Sequence, residues 1–146
     1  MQIEDSTLPP LEVEDKESAQ RVFEEFLVQY HPLLRDVEHY LEELMQKTSL
    51  TYAEAYKPWH KALHEMIRGV FLTVKNIPLP DVQGFLESLR LFCFDGAIQF
   101  LQDLCISCQM QLARNWAQNF KRHIDRLLFA AAILFEEQKK SLVPQR

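Results

Sequence analysis

The sequence predicts an all-α protein, a single domain built as a bundle of about five helices. Residues 97–143 contain neither glycine nor proline, and their apolar side chains recur every three or four positions, as on one face of a helix. The chain holds only three glycines, and no segment alternates apolar and polar residues for long enough to form a half-buried strand. At 146 residues and 47% hydrophobic content, it can bury one core without disulfides or a structural metal.

The first helix follows an acidic segment. We expect residues 1–15 to be a flexible acidic arm, residues 16–142 the helical bundle and residues 143–146 a tail. The carboxylate of Asp15 can cap the first turn of helix one. The apolar stripe of this helix keeps its phase across Pro32, so the helix is expected to continue to about residue 48, with a kink or as two nearly collinear helices.

The middle of the chain carries three further boundaries. Thr51 and Glu54 have the spacing of a capping box, which predicts the start of helix two. Pro78 and Pro80 must end that helix, because each removes a backbone donor and holds its neighbour extended. Helix three is then expected to begin near Asp81.

The last two helices are divided by weaker signals. Asp95 and Gly96 predict a turn before the long terminal stretch. One helix over residues 97–143 would be about 70 Å long, too long for a domain of this size. We therefore expect a break near Asn115 or Asn119.

Charge and cysteine content exclude several classes of function. A formal charge of −5 disfavours binding to nucleic-acid phosphates. The longest apolar run, residues 127–135, is about half the length of a membrane span, so we expect no membrane-spanning segment. Three cysteines cannot all pair within one chain, which indicates reduced thiols and a cytoplasmic protein.

Two histidines could bind a metal. His60 and His64 stand four residues apart, a spacing that lets two imidazoles reach one ion or present a ligand to heme. Additional ligands would have to come from other helices, and His31, His39 and Glu42 lack the Glu-x-x-His spacing of di-iron bundles. We therefore predict no metal or cofactor, and keep a metal- or heme-binding sensor using His60 and His64 as the alternative.

Cys105 and Cys108 are expected to be inert. Cys105 and Cys108 form a C-x-x-C pattern, but it lies within a predicted helix rather than at a helix start, where a low thiolate pKa would arise. A zinc site would need Cys93 and a fourth ligand such as His123. The pattern instead favours thiols that pack as small apolar residues.

The last predicted helix holds the candidate partner-binding residues. Residues 127–135 are apolar on every side, so this helix must either thread the centre of the bundle or meet another protein. An excess of positive charge precedes this run and could bind an acidic partner or the acidic arm, although such clusters are often solvated. The candidates are Phe129, Ile133, Arg114, Lys121, Arg122 and Arg126.

Several short segments resemble a known family. Residues 30–34 (YHPLL), 48–50 (TSL), 76–78 (NIP) ahead of Asp81-Val82, and 128–142 look like successive parts of the N-terminal domain of RsbU-type stress-response phosphatases, which is similar to the C-terminal bundle of the clock protein KaiA. The chain departs from that pattern around residues 94–116 and carries no phosphatase domain. The resemblance implies a dimeric bundle that binds a regulatory kinase or ATPase-type partner, and it supplies no functional residues.

The sequence thus favours a non-catalytic interaction or regulatory module. No glycine pattern typical of a nucleophile elbow or a phosphate loop accompanies the serines and histidines, so we do not expect an enzyme. The expected partners are another protein, of unknown identity, and a second copy of the chain.

Overall fold

The computed structural model describes residues 15–135, apart from the side chain of Tyr52. This part of the chain contains no strand and forms α1 (Lys16–Lys47), α2 (Leu50–Val74), α3 (Val82–Leu91), α4 (Asp95–Ser107) and α5 (Trp116–Leu134). The predicted all-α, single-domain bundle is confirmed. The predicted tail, and the predicted arm up to residue 14, lie outside the described residues.

The first helix begins and continues as the sequence predicts. The Ser18 amide donates to Asp15 Oδ1 at 2.8 Å, and the Asp15 amide donates to Ser18 Oγ at 3.1 Å, which forms a reciprocal capping box. The hydrogen bond from the Ser18 amide, and after it one from the Ser18 side chain, lowers the pKa of the Asp15 carboxyl group. Pro32 lies within α1 and is exposed, so the helix absorbs the proline without ending.

The start of α2 differs from the prediction, whereas its end and the start of α3 agree with it. Ser49 is the N-cap, so the capping box assigned to Thr51 and Glu54 is wrong, and Thr51 lies in the first turn. After α2 ends, Asn76 adopts a left-handed φ of 60°. The Asp81 carboxylate then caps α3 by accepting from the Gly84 amide at 2.9 Å.

The last two helices correct one prediction and confirm another. Asp95 and Gly96 are the first residues of α4, so the turn expected at these positions falls instead at residues 92–94. The break in the long glycine-free stretch runs from residue 108 to Asn115, which is the N-cap of α5. Gln109 supplies the left-handed backbone at its start, with φ 62°.

The core lies between α1 and its neighbours. The first helix packs along α2 and α5, α2 also contacts α3, and α5 contacts α3 and α4. Aromatic rings fill the centre, and their largest fully buried members are Trp116, Tyr30, Phe23, Phe26, Phe85, Phe92 and Phe120. No helix within residues 15–135 has the length and apolar character needed to cross a membrane.

Candidate functional site

The α1–α2 hairpin places two carboxylates opposite the two candidate histidines. His60 Nε2 lies 3.3 Å from Glu42 Oε1, and His64 Nδ1 lies 2.5 Å from Glu38 Oε2. The two imidazole rings are nearly parallel, with centroids 6.4 Å apart and an interplanar angle of 18°. We call Glu38, Glu42, His60 and His64 the His–Glu cluster.

Helix geometry and a short connection create this cluster. Glu38 and Glu42 are four residues apart on α1, and His60 and His64 are four apart on α2, so each pair shares one side of its helix. Only Thr48 and Ser49 separate the two helices. Such a short connection makes the helices antiparallel neighbours, so this side of α1 faces this side of α2 across the hairpin.

The cluster contains one buried charge. The Glu38 side chain is only 5% exposed, and Arg35 Nη1 donates to its Oε1 at 3.1 Å. A carboxylate accepts hydrogen bonds, so His64 carries its proton on Nδ1 and donates it to Oε2. The two partners compensate the desolvation of Glu38 and hold the carboxylate in place.

Three members of the cluster could hold one metal ion. One ligand atom from each of Glu38, Glu42 and His60 lies within 4.8 Å of the other two, and no other such group of three occurs in residues 15–135. The remaining sequence candidates lie elsewhere: His31 stacks on Phe71, and the exposed His39 contacts Glu43 within α1. The carboxylates around His60 and His64 favour a cation over heme, which requires an apolar surrounding.

The cysteines do not assemble into a metal site in the described part of the chain. Cys93 Sγ donates to Asp125 Oδ1 at 3.4 Å, whereas His123 Nδ1 donates to the Asn119 carbonyl oxygen at 2.8 Å and lies 3.2 Å from the Tyr30 hydroxyl. All three cysteines are free thiols. In this arrangement Cys93 and His123 contact different partners, and they do not face a common point at which zinc could bind.

Burial suppresses the reactivity of the thiols. Desolvation, with a smaller effect of the neighbouring Cys108, raises the pKa of Cys105 to about 12, and desolvation with the Asp125 hydrogen bond raises that of Cys93 to about 11. Cys108 is half-buried at the end of α4, and burial raises its pKa also. The thiolate is the reactive species, so all three residues should react slowly.

We expect Cys105 in the native protein at pH 8 to react with a thiol reagent at least about 100-fold more slowly than in the denatured protein. A variant with Cys93 and Cys108 replaced by serine isolates this thiol, and the reaction is followed by absorbance. The matched variant that retains only Cys108 should react faster, because its sulfur is less buried. Rapid native labelling of Cys105 would show that α4 opens readily.

The fifth helix has one buried and one exposed face. Leu127, Ala130 and Ala131 are buried in the core, whereas Phe129 on the opposite side is 71% exposed. Ile133 is half-buried and packs against the core rather than beside Phe129 at the surface. The sequence predicts that this apolar helix is covered on every side. Within the described chain, no other part of the bundle covers the side that carries Phe129.

Two of the four basic residues predicted to bind a partner face carboxylates of the same chain, and the other two are exposed. Lys121 forms an ion pair with Asp95 of α4, and the hydrogen bond to Asp95, followed by its negative charge, raises the pKa of Lys121. Arg126 is only 15% exposed and faces Glu25 of α1, with Nη2 and Oε1 3.9 Å apart. Arg114 and Arg122 are exposed. Of the six predicted partner-binding residues, Phe129, Arg114 and Arg122 lie open to a partner.

Comparisons with known proteins place the chain in no family, because no family model, curated protein or solved structure matches it. The resemblance to RsbU-type domains and the KaiA bundle thus stays a prediction.

Proposed function

We propose that this protein is a non-catalytic interaction or regulatory module that self-associates and binds a partner protein through the exposed face of α5. The exposure of Phe129 carries this proposal, because burying a phenylalanine side chain yields roughly 1.5–3 kcal/mol. Within the described chain Phe129 is 71% exposed, so most of this stabilising free energy is not realised. An aromatic side chain on a helix surface is a frequent anchor of protein interfaces.

The surroundings of Phe129 fit a helix-to-helix contact. Exposed residues recur along α5 at steps of three or four and form one continuous stripe, which we call the α5 stripe: Gln118, Arg122, Asp125, Phe129 and Ala132. The small Ala132 allows close approach beside the aromatic anchor, and charges of both signs lie toward the other end. In a twofold contact the same stripe of two copies can cover itself.

Composition supports the rest of the proposal. The formal charge of −5 opposes binding to nucleic acid, so the expected partner is a protein. Free thiols at Cys93, Cys105 and Cys108 fit a reducing compartment, and we place the protein in the cytoplasm.

A charge at the centre of the stripe should separate the copies. We expect the wild-type chain to be dimeric at micromolar concentration and Phe129→Glu to be monomeric, because the carboxylate would be buried without a partner. Light scattering coupled to size exclusion gives the mass, and circular dichroism checks that the variant remains helical. Ile133→Glu is unsuitable, since Ile133 packs against the core.

Phe94→Glu is the matched control, because Phe94 is 66% exposed but precedes α4 and lies outside the stripe. It should leave the dimer intact. A wild-type chain that is monomeric at high micromolar concentration would overturn self-association. Partner binding is tested separately in the native host, where proteins that co-purify with wild type and Phe94→Glu should be lost from Phe129→Glu.

A further inference from the structure

We infer that the His–Glu cluster is a binding site for a divalent transition metal, with Zn²⁺ as the ion whose chemistry fits it best. His60, Glu42 and Glu38 supply the ligands, and His64 positions Glu38. This inference is independent of the interaction proposed for α5.

The separation of the ligand atoms supports coordination. Two atoms bound to tetrahedral zinc at 2.0–2.1 Å lie roughly 3.3–3.4 Å apart. The distance from His60 Nε2 to Glu42 Oε1 is 3.3 Å, so an ion can enter between these atoms without spreading the helices. Glu38 completes a group whose ligand atoms all lie within 4.8 Å of one another.

The donor set indicates the kind of ion. Imidazole nitrogen suits zinc and other first-row transition metals, whereas Mg²⁺ and Ca²⁺ take oxygen ligands. Three protein ligands leave at least one coordination position for water. The side chain of His60 is 21% exposed and that of Glu42 is 48% exposed, so an ion can reach the cluster from solvent.

The surrounding hydrogen bonds resemble those that support metal ligands. Carboxylate ligands are commonly held by a second hydrogen bond, and Glu38 receives such bonds from His64 and Arg35. In the metal-free protein His60 Nε2 faces a carboxylate, which only accepts, so this nitrogen carries a proton. Metal binding at Nε2 requires that proton to leave this nitrogen, and the neutral ring can carry it on Nδ1 instead.

The test is titration of the tag-free, chelator-treated full chain with Zn²⁺ by calorimetry, and with Co²⁺ by visible absorption. We expect one ion per chain, with affinity reduced at least about 10-fold in both His60→Gln and Glu42→Gln. Both positions are partly exposed, so the variants should keep the helical circular dichroism of the wild type. His64→Gln should weaken binding while leaving the shape of the Co²⁺ spectrum unchanged.

His39→Gln is the matched control, because His39 Nε2 lies 3.2 Å from Glu43 Oε1 in an exposed pair confined to α1. It should bind Zn²⁺ as the wild type does. The inference is overturned if the wild type shows neither heat nor a visible spectrum in millimolar metal, or if His39→Gln loses as much affinity as His60→Gln. A spectrum altered by His64→Gln would overturn the positioning role of His64.

Discussion

Replacing Phe120 with alanine is expected to lower the free energy of unfolding by about 3–5 kcal/mol. Phe120 is fully buried on α5, and its ring packs against four other rings at centroid distances from 5.0 to 6.4 Å: Phe26, Tyr30, Phe92 and Trp116. These neighbours come from α1, the turn after α3 and α5 itself. Because they are anchored on separate elements, they cannot collapse into the cavity that the substitution leaves.

Chemical denaturation followed by circular dichroism measures this loss. Phe94→Ala is the control, since it removes the same side chain from a position that is 66% exposed. It should change the free energy of unfolding by no more than about 0.5 kcal/mol. A loss below about 1 kcal/mol for Phe120→Ala would mean that the aromatic core repacks more easily than its contacts indicate.

The sequence specified the core side of α1 because the stripe there is regular and long. Leu27 and Leu44 of the stripe predicted for this helix are half-buried, whereas its other positions are buried: Phe23, Phe26, Tyr30, Leu34, Val37 and Leu41. Periodicity survives Pro32 because the proline points to solvent. The predicted cap at Asp15 is confirmed, since its carboxylate accepts a hydrogen bond from the backbone amide three residues on.

Local turn signals were less reliable where two candidates compete. Ser49 and Thr51 can both begin a helix, and the chain uses the earlier one, which leaves Thr51 in the first turn. Asp95 and Gly96 together predict a turn, but an aspartate also suits the first turn of a helix, where it complements the helix dipole. Gln109 adopts a left-handed backbone although it is neither glycine nor asparagine. The residue type therefore gives no sign that the break between α4 and α5 begins there.

The sequence predicts part of the His–Glu cluster, namely His60, His64 and Glu42. The spacing of His60 and His64 predicts a candidate site on α2, but Glu38 belongs to no Glu-x-x-His pattern. Its carboxylate became relevant once the hairpin register was known, because Glu38 and Glu42 face α2 at the level of the two histidines. Glu42 lies six residues before Thr48 and His60 eleven residues after Ser49, so counting outward from the connection does not give this pairing.

The face of α5 could not be assigned from the sequence. Residues 127–135 are apolar throughout, so periodicity does not distinguish the buried side from the exposed one. The structure buries the small side chains Ala130 and Ala131 with Leu127, and leaves the large Phe129 outside. The buried side of α5 at this level therefore consists of small side chains, and the aromatic one is exposed.

The contact between α2 and α3 should be the most sensitive to added volume. A Cβ atom on Gly69 would lie 2.1 Å from Phe85 Cδ1, far inside van der Waals contact. Phe85 cannot easily turn away, because its buried ring packs between Phe23 and Phe135, each at a centroid distance of 6.0 Å. We expect Gly69→Ala to lower the free energy of unfolding by roughly 1–3 kcal/mol, despite the higher helix propensity of alanine.

Gly96→Ala separates the effect of packing from that of helix propensity. Gly96 lies in the first turn of α4, and nothing lies within 4 Å of the Cβ atom that the substitution adds. This variant should gain roughly 0.4–1 kcal/mol, because alanine restricts the unfolded chain. The two substitutions are compared by chemical denaturation under the same conditions. Equal stabilities would show that Phe85 moves aside, so the close approach of α2 and α3 would not depend on a glycine at position 69.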